Sequence, residues 1–101
     1  MQSYYSEAID VLFRSILLIH TEEECRTFFE DLCTIKELQD MAQRLETARL
    51  LYNGKNYQEI SKKVGISSTT ISRVSKCLYY GGGGYETVIE RLEEQEKNNE
   101  V

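Results

Sequence analysis

The residues best equipped for intermolecular chemistry in this 101-residue chain fall within eleven positions, ISSTTISRVSK, residues 66–76. Six hydroxyl side chains (Ser67, Ser68, Thr69, Thr70, Ser72 and Ser75) are interleaved there with Arg73, Lys76 and β-branched Ile71 and Val74. Such types compete with helical backbone bonding or lose χ1 freedom in a helix, so propensity alone would not select them. On a helical wheel at about 100° per residue, with Ile71, Val74 and Leu78 facing inward, the outer face is Thr69, Ser72, Arg73, Lys76 and Tyr80. Short hydroxyl side chains let a helix sit deep in a major groove, Ser and Thr bond bases or phosphates, and Arg can bond a guanine edge bidentately. Ser67 is placed to cap this helix, leaving Ser68 and Thr69 in its first turn, where base edges are usually met. Lys62 and Lys63, ending the preceding segment, are placed to touch phosphates. The candidate contacts to double-stranded DNA are therefore Lys62, Lys63, Ser67, Ser68, Thr69, Ser72, Arg73 and Lys76.

Those residues need a rigid corner to present them. The surrounding NYQEISKKVGISSTTISRVSKCL has the spacing of a helix-turn-helix, expected over residues 57–78. Ile60 and Val64 are four apart on the first helix, and Gly65 takes the left-handed turn position. Ile66 plugs the corner, while Ile71 and Val74 line the inner face of the second helix. Ser61 stands where a small residue allows close helix approach.

The rest of the chain is proline-free, with apolar residues at spacings of three and four, which predicts an all-α fold of about six helices. A first helix is expected over about residues 3–19, with Ala8, Ile9, Leu12, Phe13, Ile16 and Ile19 as its stripe. Thr21 to Glu24 and Thr34 to Glu37 each have the form of a capping box. The first opens a helix carrying Cys25, Phe28, Phe29 and Leu32. The second opens a long helix with Leu38, Met41, Ala42, Leu45 and Ala48 on one face and Asn53-Gly54 as its stop. A third box, Asn56 to Glu59, starts the helix-turn-helix. Glycines 81–84 lack the Gly-Lys-Ser/Thr ending of a phosphate loop and are taken as a flexible connector. A last helix with Val88, Ile89 and Leu92 is expected to fray over residues 97–101.

Length predicts one domain, residues 1–101, small enough that a partner chain would help complete its core. The net charge of −5 conceals an asymmetry: residues 55–76 carry five bases against Glu59 alone, between acidic flanks. No apolar run approaches the roughly 18 residues needed to cross a membrane, and no secretory leader is evident, so the expected location is cytoplasmic. Cys25, Cys33 and Cys77 are odd in number and lack metal-ligand spacing, so reduced core thiols and no metal are expected. His20 has no Ser or Cys at a recognisable nucleophile spacing, and no carboxylate pair stands out, so the chain is not expected to be an enzyme.

From Thr34 to Leu78 the chain resembles the Trp repressor superfamily, and within it the YerC/YecD-like group. The resemblance rests on the capped long helix, R-L-x-x-A-x-x-L-L-x-x-G across Arg44 to Gly54, and V-G-I-S-S-T-T-I-S-R. It implies a fold of six helices whose non-reading helices interlace with those of a second chain in a homodimer. In tryptophan-responsive members the amino acid lies between two arginines beside the DNA-reading helix. The matching positions here are Thr34, Arg44, Thr70 and Arg73, a candidate ligand pocket. Those members carry glycine where this chain has Val74, and serine where it has Cys77; an indole occupies the space the glycine leaves. Val74 therefore argues against tryptophan or a similar effector, and no cofactor is expected.

Taken together, the expected function is a sequence-specific DNA-binding transcriptional regulator, a repressor, reading the major groove as a dimer without tryptophan. The alternative is a protein-interaction module that keeps the helix-turn-helix fold without specific DNA binding, motivated by the acidic segment from Glu86 to Glu100.

Overall fold

A computed structural model describes residues 6–99, and those residues form six α-helices and no strand. The all-α expectation holds. The chain divides into two compact units, residues 1–38 and 39–101.

The first unit holds α1 (Glu7–Ile16), α2 (Glu22–Leu32) and the opening turn of α3 (Ile35–Tyr52). Ser6 caps α1 by accepting the Ile9 amide at 3.3 Å, so the helix begins later than the sequence pattern suggests; residues 3–5 lie outside those described. It also ends earlier, at Ile16, because Leu18 and Ile19 bond the carbonyls three residues back and tighten the chain into turns. At α2, Thr21 accepts the Glu24 amide at 3.0 Å, while the Glu24 carboxylate accepts from His20, one residue before the cap. Thr34 and Glu37 complete a full box at the start of α3, with bonds of 3.1 and 2.8 Å. The apolar stripe assigned to α1 does not form an interior. No described residue of this unit is buried, and Leu17 and Leu18 are 82% and 71% exposed.

The second unit contains the rest of α3 with α4 (Tyr57–Val64), α5 (Ser68–Tyr80) and α6 (Gly84–Asn99). All of the fully buried core lies here: Ala48 and Leu51 of α3, Ile60 of α4, Ile71, Val74 and Leu78 of α5, and Ile89 of α6. The inner face of α3 is therefore Thr47, Ala48 and Leu51, whereas Met41 and Ala42, expected on that face, are exposed. The stop after α3 is built by Gly54 at φ 84°, with Gly54 bonding the Leu51 carbonyl and Lys55 the Leu50 carbonyl, the two bonds of a Schellman motif. A polar clasp joins α3 to α6: Arg49 pairs with Glu96 at 2.7 Å, and Asn53 donates to Glu93, also at 2.7 Å. One turn away, the Tyr52 hydroxyl donates to Glu90 at 3.0 Å.

Of the four glycines, only the first three lie between helices. Gly81 could not be replaced, since a β-carbon there would run into the Cys77 carbonyl, and Gly84 begins α6. That helix continues to Asn99, into the stretch expected to fray; the last two residues lie outside those described. All three cysteines are free, but none is a core residue: Cys77 is exposed and the other two are half-buried. Among the described residues, no helix is long and apolar enough to cross a membrane.

Candidate nucleic-acid interface

The corner between α4 and α5 is built from local chemistry. Asn56 and Glu59 bond each other's backbone amides at the start of α4, and Gly65 ends it at φ 79°, ψ 33°, a left-handed conformation costly for any residue with a β-carbon. Ser61 donates its hydroxyl to the Ile66 carbonyl at 2.8 Å, tying the body of α4 to the turn. Ser67 then caps α5, accepting the Thr70 amide at 3.2 Å and lying 3.1 Å from the Thr70 hydroxyl. With Ile60, Ile71, Val74 and Leu78 buried together, α5 is held firmly enough to carry its unfavourable outer residues.

The outer side of α5 is an open groove of about 690 Å³ lined by Ser68, Thr69, Ser72, Arg73 and Lys76, together with Tyr57 of α4. Five of the residues singled out in the sequence are thus brought onto one surface. The other three are placed differently. Ser67 uses its hydroxyl in the cap, as expected from its position. Lys62 lies in a neighbouring groove of about 380 Å³ with Gln58, Ser61, Ser68 and again Tyr57. Lys63 lines neither of those grooves; it lines one with Glu46, Arg49, Leu50 and Asn53, and a second, with Lys55 and Glu59, that Lys62 also lines. Tyr80, on the outer face of the wheel, is 86% exposed but does not line the α5 groove.

Tyr57 was not singled out by the sequence reading. Its signal was present: Tyr57 and Ser61 are four apart and share a helix face, and Ser61 marks the side on which α5 approaches.

Of the four ligand-pocket candidates, Arg44, Thr70 and Arg73 line a common groove of about 290 Å³, with Asp40, Ile66 and Val74 among its other walls. Val74 itself is 2% exposed and belongs to the core. Thr34 is in the first unit, where its hydroxyl and amide both serve the capping box of α3.

Tyr52 has its pKa raised above the usual 10.0, first by its hydrogen bond to Glu90, then by desolvation, and then by the negative charges of Glu90, Glu86 and Glu93.

Comparison with known proteins bears on this arrangement. The chain is 51% identical over 88 residues to the uncharacterized protein YerC of Bacillus subtilis (strain 168), an alignment covering 87% of this chain and 85% of the relative. The crystal structure of a TrpR like protein from Eubacterium eligens superposes with a TM-score of 0.83 at 43% identity, covering 87% of this chain and 91% of the other. A Staphylococcus aureus crystal structure gives the same TM-score at 39% identity, over 88% of this chain and 89% of its own. The family model described as Trp repressor protein matches residues 7–93, which takes in the two capped helices of the first unit, the α4–α5 corner and most of α6; the chain belongs to the Trp repressor family.

Proposed function

We propose that this chain is a sequence-specific DNA-binding transcriptional regulator, acting as a repressor, whose α5 enters the major groove. The observation that carries the reading is the convergence of Ser68, Thr69, Ser72, Arg73 and Lys76 on one open face of a helix whose opposite face is core. Hydroxyls and cations without an aliphatic among them suit base edges and phosphates. Membership in a family of helix-turn-helix DNA-binding regulators supports the same conclusion. The neighbouring Lys62 adds positive charge for the phosphate backbone.

The working form is a homodimer in the cytoplasm, with no catalytic activity. Leu17, Leu18, Val11 and Phe13 of the first unit are exposed apolar side chains that a second copy would cover. Two α5 helices would then meet successive major grooves about 34 Å apart on a pseudo-palindrome. Steric occlusion of a promoter is the simplest outcome of such binding.

Tryptophan is not the effector of this regulator. The groove between Arg44, Thr70 and Arg73 retains polar groups of the kind the resemblance assigns to that ligand, but the Val74 side chain stands in its wall where those members have only hydrogen. The carboxylates of Glu93 and Glu96, and the carboxylate of Glu90, already have partners on α3, which weighs against the acidic helix being a docking face for another protein.

Selection of binding sites from random DNA, at two salt concentrations and with or without a panel of amino acids, tests the proposal. A two-fold-related motif whose affinity falls steeply with salt and drops on Arg73→Ala is expected. Absence of any enriched motif would overturn the DNA assignment, and a tryptophan-dependent gain in affinity would overturn the reading of Val74.

A further inference from the structure

Tyr57 takes no part in the capping bonds of the corner it stands on. It is the first residue of α4, where the cap is made by Asn56 and Glu59. An apolar staple across this helix start would join the residue before the cap to Ile60, but that residue is Lys55, and Tyr57 occupies neither position. Its side chain makes no hydrogen bond or ring contact among the described residues, and it is 40% exposed. An aromatic at an exposed helix start has no advantage in helix propensity.

Its location is informative. Tyr57 and Ser68 line both the α5 groove, shared with Arg73 and Thr69, and the groove that holds Lys62. The ring is therefore a divider between the surface equipped for base edges and the surface equipped for phosphate. With α5 in a major groove, a residue at that boundary would lie toward the outermost base pair that α5 reaches. Of the groups a base pair presents in the major groove, one is apolar, the C5-methyl of thymine, and phosphates present none. A phenol ring without a polar partner in its own protein matches that group by burying apolar surface.

We propose that Tyr57 is a specificity-determining residue, its ring packing against a thymine methyl at the outer edge of each half-site. The inference rests on the DNA-reading role of α5 and adds to it a base preference set from α4.

The test is site selection from random DNA with the full chain as wild type, Tyr57→Phe and Tyr57→Ala, followed by binding to duplexes in which deoxyuridine replaces thymidine at the position concerned. Wild type and Tyr57→Phe should both select thymine at one outer position per half-site. Tyr57→Ala should lose that preference and keep the rest of the motif. Uracil should weaken wild-type binding about fourfold, the change expected for one buried methyl group, and leave Tyr57→Ala unaffected. Circular dichroism melts confirm that both variants fold. If Tyr57→Ala selects the wild-type motif, or wild type binds the uracil-substituted duplexes as tightly as the thymidine ones, the residue is not a base reader and the proposal fails while the DNA assignment stands. If wild type selects no motif, the DNA assignment fails and this inference with it.

Discussion

The hydroxyl of Ser61 donates to the carbonyl of Ile66 across the turn that separates α4 from α5, at 2.8 Å in a partly buried setting. This single bond fixes the carbonyl that follows Gly65 and so the direction in which α5 leaves the corner. Ser61→Ala removes the donor and leaves that carbonyl short of a partner. A loss of about 1 kcal/mol in urea denaturation is expected, accompanied by faster amide exchange at the Thr70 amide that Ser67 caps. Unchanged exchange at Thr70 would show that the corner does not depend on this bond.

Thr47 gives an expectation of opposite sign. It is fully buried on α3, and its hydroxyl oxygen has no hydrogen-bond partner among the described residues. Replacing it by valine keeps the branched shape and removes an unsatisfied polar group. Thr47→Val should raise stability by about 1 kcal/mol, read as a higher urea midpoint with an unchanged slope. Destabilisation would mean that the hydroxyl has a partner when the protein is in solution.

The raised pKa of Tyr52 makes stability fall at alkaline pH. The folded protein holds the phenolic proton more tightly than the unfolded chain does, because Glu90 accepts it and the carboxylates around it oppose a phenolate. That contribution is complete below the ordinary tyrosine value of 10.0 and is lost as pH climbs through the higher folded value. Tyr52→Phe has no proton to lose, so its melting temperature should decline less between about pH 9 and about pH 11 than that of wild type. Parallel profiles for the two proteins would count against the Glu90 interaction.

Lys62 and Lys63 should differ despite being adjacent. The two share a groove with Lys55 and Glu59, but only Lys62 also lines the groove beside Ser68 and Tyr57, next to the α5 face, and only Lys63 lines the groove of Glu46, Arg49 and Asn53. On the selected DNA, Lys62→Ala should reduce the magnitude of the slope of log affinity against log salt by about 0.9, the effect of one phosphate contact. Lys63→Ala should leave the slope near its wild-type value. Equal effects would place both side chains on the backbone.

How much of this was legible in the sequence depended on how far apart the partners are. The caps at Thr34, Asn56 and Ser67 each use a bond to the residue three positions on, and those spacings are written in the chain itself. The corner was legible for the same reason: Ile60, Ile71, Val74 and Leu78 repeat at helical intervals around Gly65, and all four are buried. The clasp of Arg49 with Glu96, 47 residues apart, and of Tyr52 with Glu90, 38 apart, left no such trace. Arg49 and Glu96 each look like ordinary solvated charges until α6 is laid along α3. The first helix illustrates a different limit. Alternation at three and four residues says that Leu12, Phe13 and Ile16 share a face, but not what that face meets, and none of the three is buried. In the candidate site, the residues on α5 share one helix face and could be grouped by a wheel, whereas the place of Tyr57, and the reach of Lys62 but not Lys63 to the groove beside Ser68, required knowing how α4 lies against α5.

Because none of residues 6–38 is buried while the second unit has a closed core of its own, the proposed homodimer would make the quantity of protein a variable of its stability. An interior supplied by another copy exists only when that copy is present, so dilution acts on the first unit as heating would. Synthesis rate would then set both the number of molecules and the fraction of each that is structured. A regulator assembled in that way would respond more than proportionally to its own abundance.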